Sequence, residues 1–189
     1  MKPIRALLML AGTLAFSVGS RAAAPESFKG GPADLNKAVD ARAAKLGKIA
    51  PADAPFAQLV KRVPRKGALI RVAFNDIGPV QRGGGQTAFI GRHWAAGAFD
   101  FALVTFPAAV EISTHSASVV VGSFAGTKEI AAANGSPVTV PVIEARVVGV
   151  IDGVTFVDGR PSFVPGSPIR VYEAPAKKAA VKKAGAKKP

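Results

Sequence analysis

Ala68-Leu69-Ile70-Arg71-Val72-Ala73-Phe74-Asn75 is the stretch on which the fold class turns. Ile70, Val72 and Phe74 alternate with Arg71 and Asn75, a period of two, which predicts a half-buried strand with its Phe74 side toward a core. The same grammar recurs downstream. Residues 86–91 and 98–106 read as strands, the latter with Phe99, Phe101 and Leu103 on one side, followed by 110–113 and 118–124. The segment 137–141 is bounded by prolines and reads as an edge. Ile143, Ala145 and Val147 then alternate with Glu144 and Arg146. Residues 154–157 lie between the hairpin-turn dipeptides Asp152-Gly153 and Asp158-Gly159, and residues 169–173 close the set. Asn134-Gly135 is a further turn, and residues 128–133 read as one helical turn. Seven to nine short strands with no helix-length gap between them predict a mainly β fold, an antiparallel β-sandwich or small barrel. A parallel α/β sheet is disfavoured.

Upstream the pattern is helical. Residues 26–32 form a Gly/Pro-rich lead without periodicity. From Ala33 a helix is expected, with Leu35, Val39, Leu46 and Ile49 on one face, Gly47 near its end and Pro51 as a stop. A second short helix is expected from Asp53 through Phe56, Leu59 and Val60 to Pro64. The division along the chain is therefore a signal peptide over 1–22, a basic, partly helical segment over 23–66, an all-β domain over 67–174 and a disordered Lys/Ala-rich tail over 175–189. The signal peptide rests on Lys2 and Arg5 before an uncharged apolar stretch from Ala6 to Val18, with Ser20-Arg21-Ala22 as the cleavage signature. No later segment offers the roughly 20 apolar residues of a membrane helix, so an integral membrane protein is not expected. Export to the periplasm or the outside of a bacterial cell is expected.

Charge is distributed unevenly. The 189 residues carry 25 Lys and Arg against 12 Asp and Glu, a formal charge of +13. Residues 67–173 hold seven bases and eight acids, whereas 174–189 hold six lysines and no acid. A nearly neutral body has no long-range field for anions; the lysine arm does. Lys177, Lys178, Lys182, Lys183, Lys187 and Lys188 form three pairs five residues apart, a spacing that spirals around a helix and that self-repulsion holds open. Hydrophobic residues make up 49%, enough for a core. The absence of cysteine excludes disulfides, thiolate metal sites and cysteine nucleophiles, and two histidines leave little for a metal centre. No cofactor and no metal are expected.

Three places invite chemistry. Gln81-Arg82-Gly83-Gly84-Gly85-Gln86 contains a G-x-G-x-x-A match at Gly83, Gly85 and Ala88, but Thr87-Ala88-Phe89-Ile90 continues as strand where a dinucleotide site needs a helix. This is a hairpin loop with Arg82 available for a surface contact. Arg92-His93-Trp94 combines a guanidinium fork with an indole, a patch suited to sugar or peptide. His115, within Ser113-Thr114-His115-Ser116-Ala117-Ser118, reads as a polar strand edge whose neighbouring hydroxyls point away from the imidazole. The binding residues expected are thus Arg82, Arg92, His93, Trp94 and the six lysines. The function expected is an envelope-associated binding or structural module, its tail attached to anionic polymer or lipid and its body open to a protein or glycan. No specific nucleic-acid partner is expected. The alternatives are a small secreted hydrolase using Asp100, Glu111, His93 or His115, and an adhesin or fibre subunit polymerising by strand addition.

Overall fold

The computed structural model describes residues 24–47, 65–95, 98–132, 135–157 and 160–175. The signal peptide expected over 1–22, the helix expected from Asp53 and the six tail lysines lie outside the described residues. What is described is mainly β, as the alternating stretches require, with one short helix.

Ten strands occur among these residues: β1 (Glu26–Gly30), β2 (Leu69–Phe74), β3 (Asp76–Gly83), β4 (Gln86–Ala95), β5 (Ala98–Phe106), β6 (Ala117–Ala131), β7 (Pro137–Ile151), β8 (Val154–Val157), β9 (Arg160–Phe163) and β10 (Ser167–Glu173). Helix α1 (Pro32–Ala43) precedes β2 and ends in a 3₁₀ turn over Ala44–Leu46. β3, β4 and β5 form an antiparallel meander, β6 and β7 a long antiparallel ribbon, and β2 pairs antiparallel with β6. β5 and β7 meet in parallel over Leu103–Thr105 and Val142–Glu144, the one departure from an all-antiparallel sheet. Only Asn75 separates β2 from β3, so the two act as one bent strand that pairs with β6 at one end and β4 at the other. This curls the sheet into a partly open barrel. Counting that bent strand as the first, the order around the barrel is first, second, third, fifth, fourth and back to first. That connectivity is the one of the OB-fold, a five-stranded Greek-key barrel.

The barrel interior is filled by Phe74, Phe89, Phe106, Phe124 and Ile143, each nearly inaccessible to water. Gly91 is required on this wall, because a Cβ there would come within 2.5 Å of the Phe74 ring. Outside the barrel, Leu35, Val39 and Ala43 of α1 pack on Val119, Val147 and Ile169. Pro32 opens the helix, where its missing N–H is no loss, and Asp34 Oδ2 accepts from Gly31 N at 2.9 Å. Gly47, with φ of 109°, follows the last turn as expected, but Leu46 is exposed instead of sharing the apolar face. Arg71 ties the helix to β2 by ion pairing with Asp40. A third apolar cluster joins Ala88, Ile90, Leu103, Ile130 and Val140.

Several expectations are corrected. The lead over 26–32 contains β1, which pairs with β10 and packs Phe28 against the helix cluster. Residues 110–113 are a loop, although Val110 and Ile112 are buried: they plug the barrel interior instead of extending a sheet. Residues 128–131 continue β6, so no helical turn forms there, and 137–151 is one strand rather than two. β3 escaped the alternation pattern because Gly78-Pro79 interrupts it, at the register shift between Ile77 and Val80.

Tyr172, the single tyrosine, donates its hydroxyl to Glu111 O at 2.7 Å and helps hold the plug loop. Burial pushes its pKa above the ordinary value of 10.0. The unfolded chain therefore releases this proton first, so its linkage is silent below about pH 10 and costs stability as the pH rises further. Ultraviolet difference titration will show a phenolate transition above the model-peptide value. Tyr172→Phe will abolish it and cost about 1 kcal/mol in denaturant unfolding at neutral pH.

Candidate functional site

Side chains alternate along β4, and its uninterrupted register with β5 fixes which residues share a face. Phe89 and Gly91 belong to the interior row, so His93 falls on that row, opposite Asp100. Ala88, Ile90, Arg92 and Trp94 form the outer row, Arg92 opposite Phe101 and Trp94 opposite Phe99. The three neighbours Arg92, His93 and Trp94 are thus split between two faces. Arg92 and Trp94 alone share one, with Phe101 beside them.

Arg92 is also held from below. Its guanidinium pairs with Asp76, whose side chain is only 5% exposed, and reaches Ile77 O at 3.4 Å. Asp76 Oδ1 accepts from Ile77 N at 2.9 Å and faces His115 Nδ1 at 3.6 Å. His115 is therefore not on a strand edge. It sits in a turn at φ 63°, a left-handed conformation uncommon outside glycine, with its imidazole largely exposed and its N–H bonded to Ile77 O at 3.3 Å. This Arg92–Asp76–His115 cluster joins β3, β4 and the loop after the plug.

Arg82 is exposed, and its guanidinium is held by the protein's own backbone. Its Nε and an Nη donate to Val110 O and Ile112 O, both at 2.9 Å, while Thr87 Oγ1 donates to Ala108 O and accepts from Val110 N, both at 3.0 Å. Gly84 and Gly85 form the two-residue turn between β3 and β4, each at positive φ, as a tight hairpin requires. Ser116 Oγ, adjacent to His115, donates to Asp152 at 2.8 Å, and Asp152 also pairs with Arg170. That hydroxyl is not delivered to the imidazole. Glu111 contributes its backbone oxygen to Tyr172.

No family model matches the chain, and no curated protein or solved structure matches it either. Its site rests on its own chemistry. On the outer face of β4 and β5, Arg92, Trp94 and Phe101 stand side by side, with the Arg92 charge matched by Asp76. Connectivity alone assigns no ligand. Among the described residues, no group of three His, Asp or Glu is placed to hold a metal.

A second concavity carries residues that the sequence did not single out. β7 exchanges its neighbour along one edge, pairing with β5 through Glu144 and with β10 from Val147. The exchange leaves a crevice of about 170 Å³, lined by Gln86, Thr105, Pro107, Glu144 and Arg146 over Phe106. Glu144 and Arg146 read in sequence only as the polar half of an alternating strand. Nothing local announces the change of partner.

Proposed function

We propose that the protein is an exported, envelope-associated binding module: a nearly neutral β-barrel body anchored to anionic polymer or lipid by its lysine arm, with the Arg92–Trp94–Phe101 face of β4 and β5 open to a glycan. The observation that carries this reading is the partition of charge. Seven bases face eight acids over 67–173, while the six lysines of 174–189 stand without an acid. The leader-like residues 1–22 support export. No described helix is long and apolar enough to cross a membrane. The glycan rather than a single-stranded nucleic acid is favoured because the latter needs a basic groove beside its aromatic platform, and residues 67–173, which carry that face, have no net positive charge.

Each lysine near an anionic surface contributes about 1 kcal/mol, and the attraction fades within a Debye length. Co-sedimentation of the full-length protein with vesicles containing phosphatidylglycerol is expected to fall at least tenfold between about 50 and 500 mM salt. Deletion of 176–189 is expected to abolish most of it. Salt-insensitive binding that survives the deletion would reject the anchoring role.

A further inference from the structure

We propose that the crevice where β7 changes partners is a binding site for a small zwitterion of amino-acid or dipeptide size. The site follows from topology. β5 runs alongside β7 only as far as Thr105 and Glu144, and β10 takes over at Val147. Between these contacts β7 has a bulge, since Val121 faces Val147 while Gly122 faces Ala145, leaving Arg146 as the extra residue. A bulge re-aims the side chain it carries, and here it brings Arg146 to the crevice that Glu144 also lines. The bulge is fixed from both sides. Ala174 N donates to Arg146 O at 2.7 Å, and Gly122 lies so close that a Cβ would approach Glu144 O at 2.4 Å.

The lining determines what fits. Neither Glu144 nor Arg146 makes an ion pair or side-chain hydrogen bond with a described residue, and the Gln86 amide is likewise uncommitted. Each of the other partly buried arginines at positions 42, 71, 92 and 170 has a carboxylate partner. A guanidinium fork takes a carboxylate, a carboxylate takes an ammonium group, and the amide of Gln86 suits a peptide unit between them, whose N–H the Thr105 hydroxyl, itself donating to Ile143 O at 3.5 Å, can accept. The apolar base is Phe106 and Ala145. A volume of about 170 Å³ is well below the roughly 300–1,000 Å³ of drug-sized sites, which restricts the ligand to amino-acid or dipeptide size. A molecule bearing both charges at amino-acid or dipeptide separation satisfies all three constraints, while a simple anion or cation leaves one charged side chain unmatched.

The test uses the full-length protein and glycylglycine, followed by calorimetric titration and by amide chemical shifts of the crevice residues. Saturable binding with Kd on the order of 1 mM is expected for so small a ligand. N-acetylglycylglycine, lacking the ammonium group, and glycylglycinamide, lacking the carboxylate, are each expected to bind at least about tenfold more weakly. Arg146→Gln should remove the preference for the free carboxylate, and Glu144→Gln the preference for the free amine. Absence of saturation up to about 20 mM, or equal binding of the three ligands, would overturn the proposal. So would variants that bind like the parent. Deleting 176–189 should leave dipeptide binding unchanged, so failure here and failure of the lysine anchor are separately visible.

Discussion

Gly122→Ala is expected to destabilise the barrel by more than about 3 kcal/mol and, in many conditions, to leave it unfolded. The added Cβ would lie 2.4 Å from Glu144 O and 2.7 Å from Ala145 Cα. Both are backbone atoms of the paired strand, so no side-chain rotation relieves the contact. β6 and β7 would have to separate at the bulge that aligns the ribbon on either side of it. Gly149→Ala provides the comparison. There the Cβ meets the ends of Val39 and Leu35 side chains, at 2.4 and 2.6 Å, and α1 can shift outward on its exposed side. Its cost is expected at about 1–3 kcal/mol, the ordinary range of overpacking. Thermal melts of the two variants should therefore rank Gly122→Ala as the more damaging. A Gly122→Ala protein melting within a degree of the parent would contradict the close ribbon contact.

Asp76→Asn is expected to cost about 2–4 kcal/mol, because it leaves the partly buried Arg92 guanidinium facing a neutral amide. The carboxylate is nearly inaccessible and is held by Arg92 and by Ile77 N, with His115 beside it. Arg92→Met alone should be at least as damaging, since it strips a buried carboxylate of its cation. The double variant should cost less than the sum, with a coupling of roughly 1.5–3 kcal/mol in urea unfolding. Strict additivity would show that the pair is not a stabilising unit. The more exposed Arg42–Glu26 contact between α1 and β1 should show much weaker coupling and disappear with salt.

Where periodicity and burial coincide, the architecture was legible in the sequence. β2 alternates because one side of it meets the barrel interior, whereas the Phe101 and Leu103 side of β5 belongs to the outer cluster, and Gly84-Gly85 forms a tight turn because both residues take positive φ. β1 was hidden because its strand character comes from β10, more than a hundred residues away, and only Phe28 supplies a local apolar anchor. Val110 and Ile112 deceived for the opposite reason: buried apolar residues also plug barrels, held here by Arg82, Thr87 and Tyr172. The same internal demand decides the candidate site. Exposed Arg82 donates to the plug loop and half-buried Arg92 pairs with Asp76, while alternation turns His93 away from Trp94. Glu144 and Arg146, unremarked in sequence, are brought to one crevice by a change of strand partner.

The proposed function is that of an exported, nearly neutral barrel anchored through its lysines. Its most direct test is fractionation of cells producing the full chain, with mass measurement of the recovered polypeptide and extraction at graded salt. Protein is expected outside the cytoplasm, beginning at Ala23, associated with the envelope and released by high salt only while residues 176–189 are present to hold it. Recovery from the cytosol with Met1 and the leader intact would contradict it.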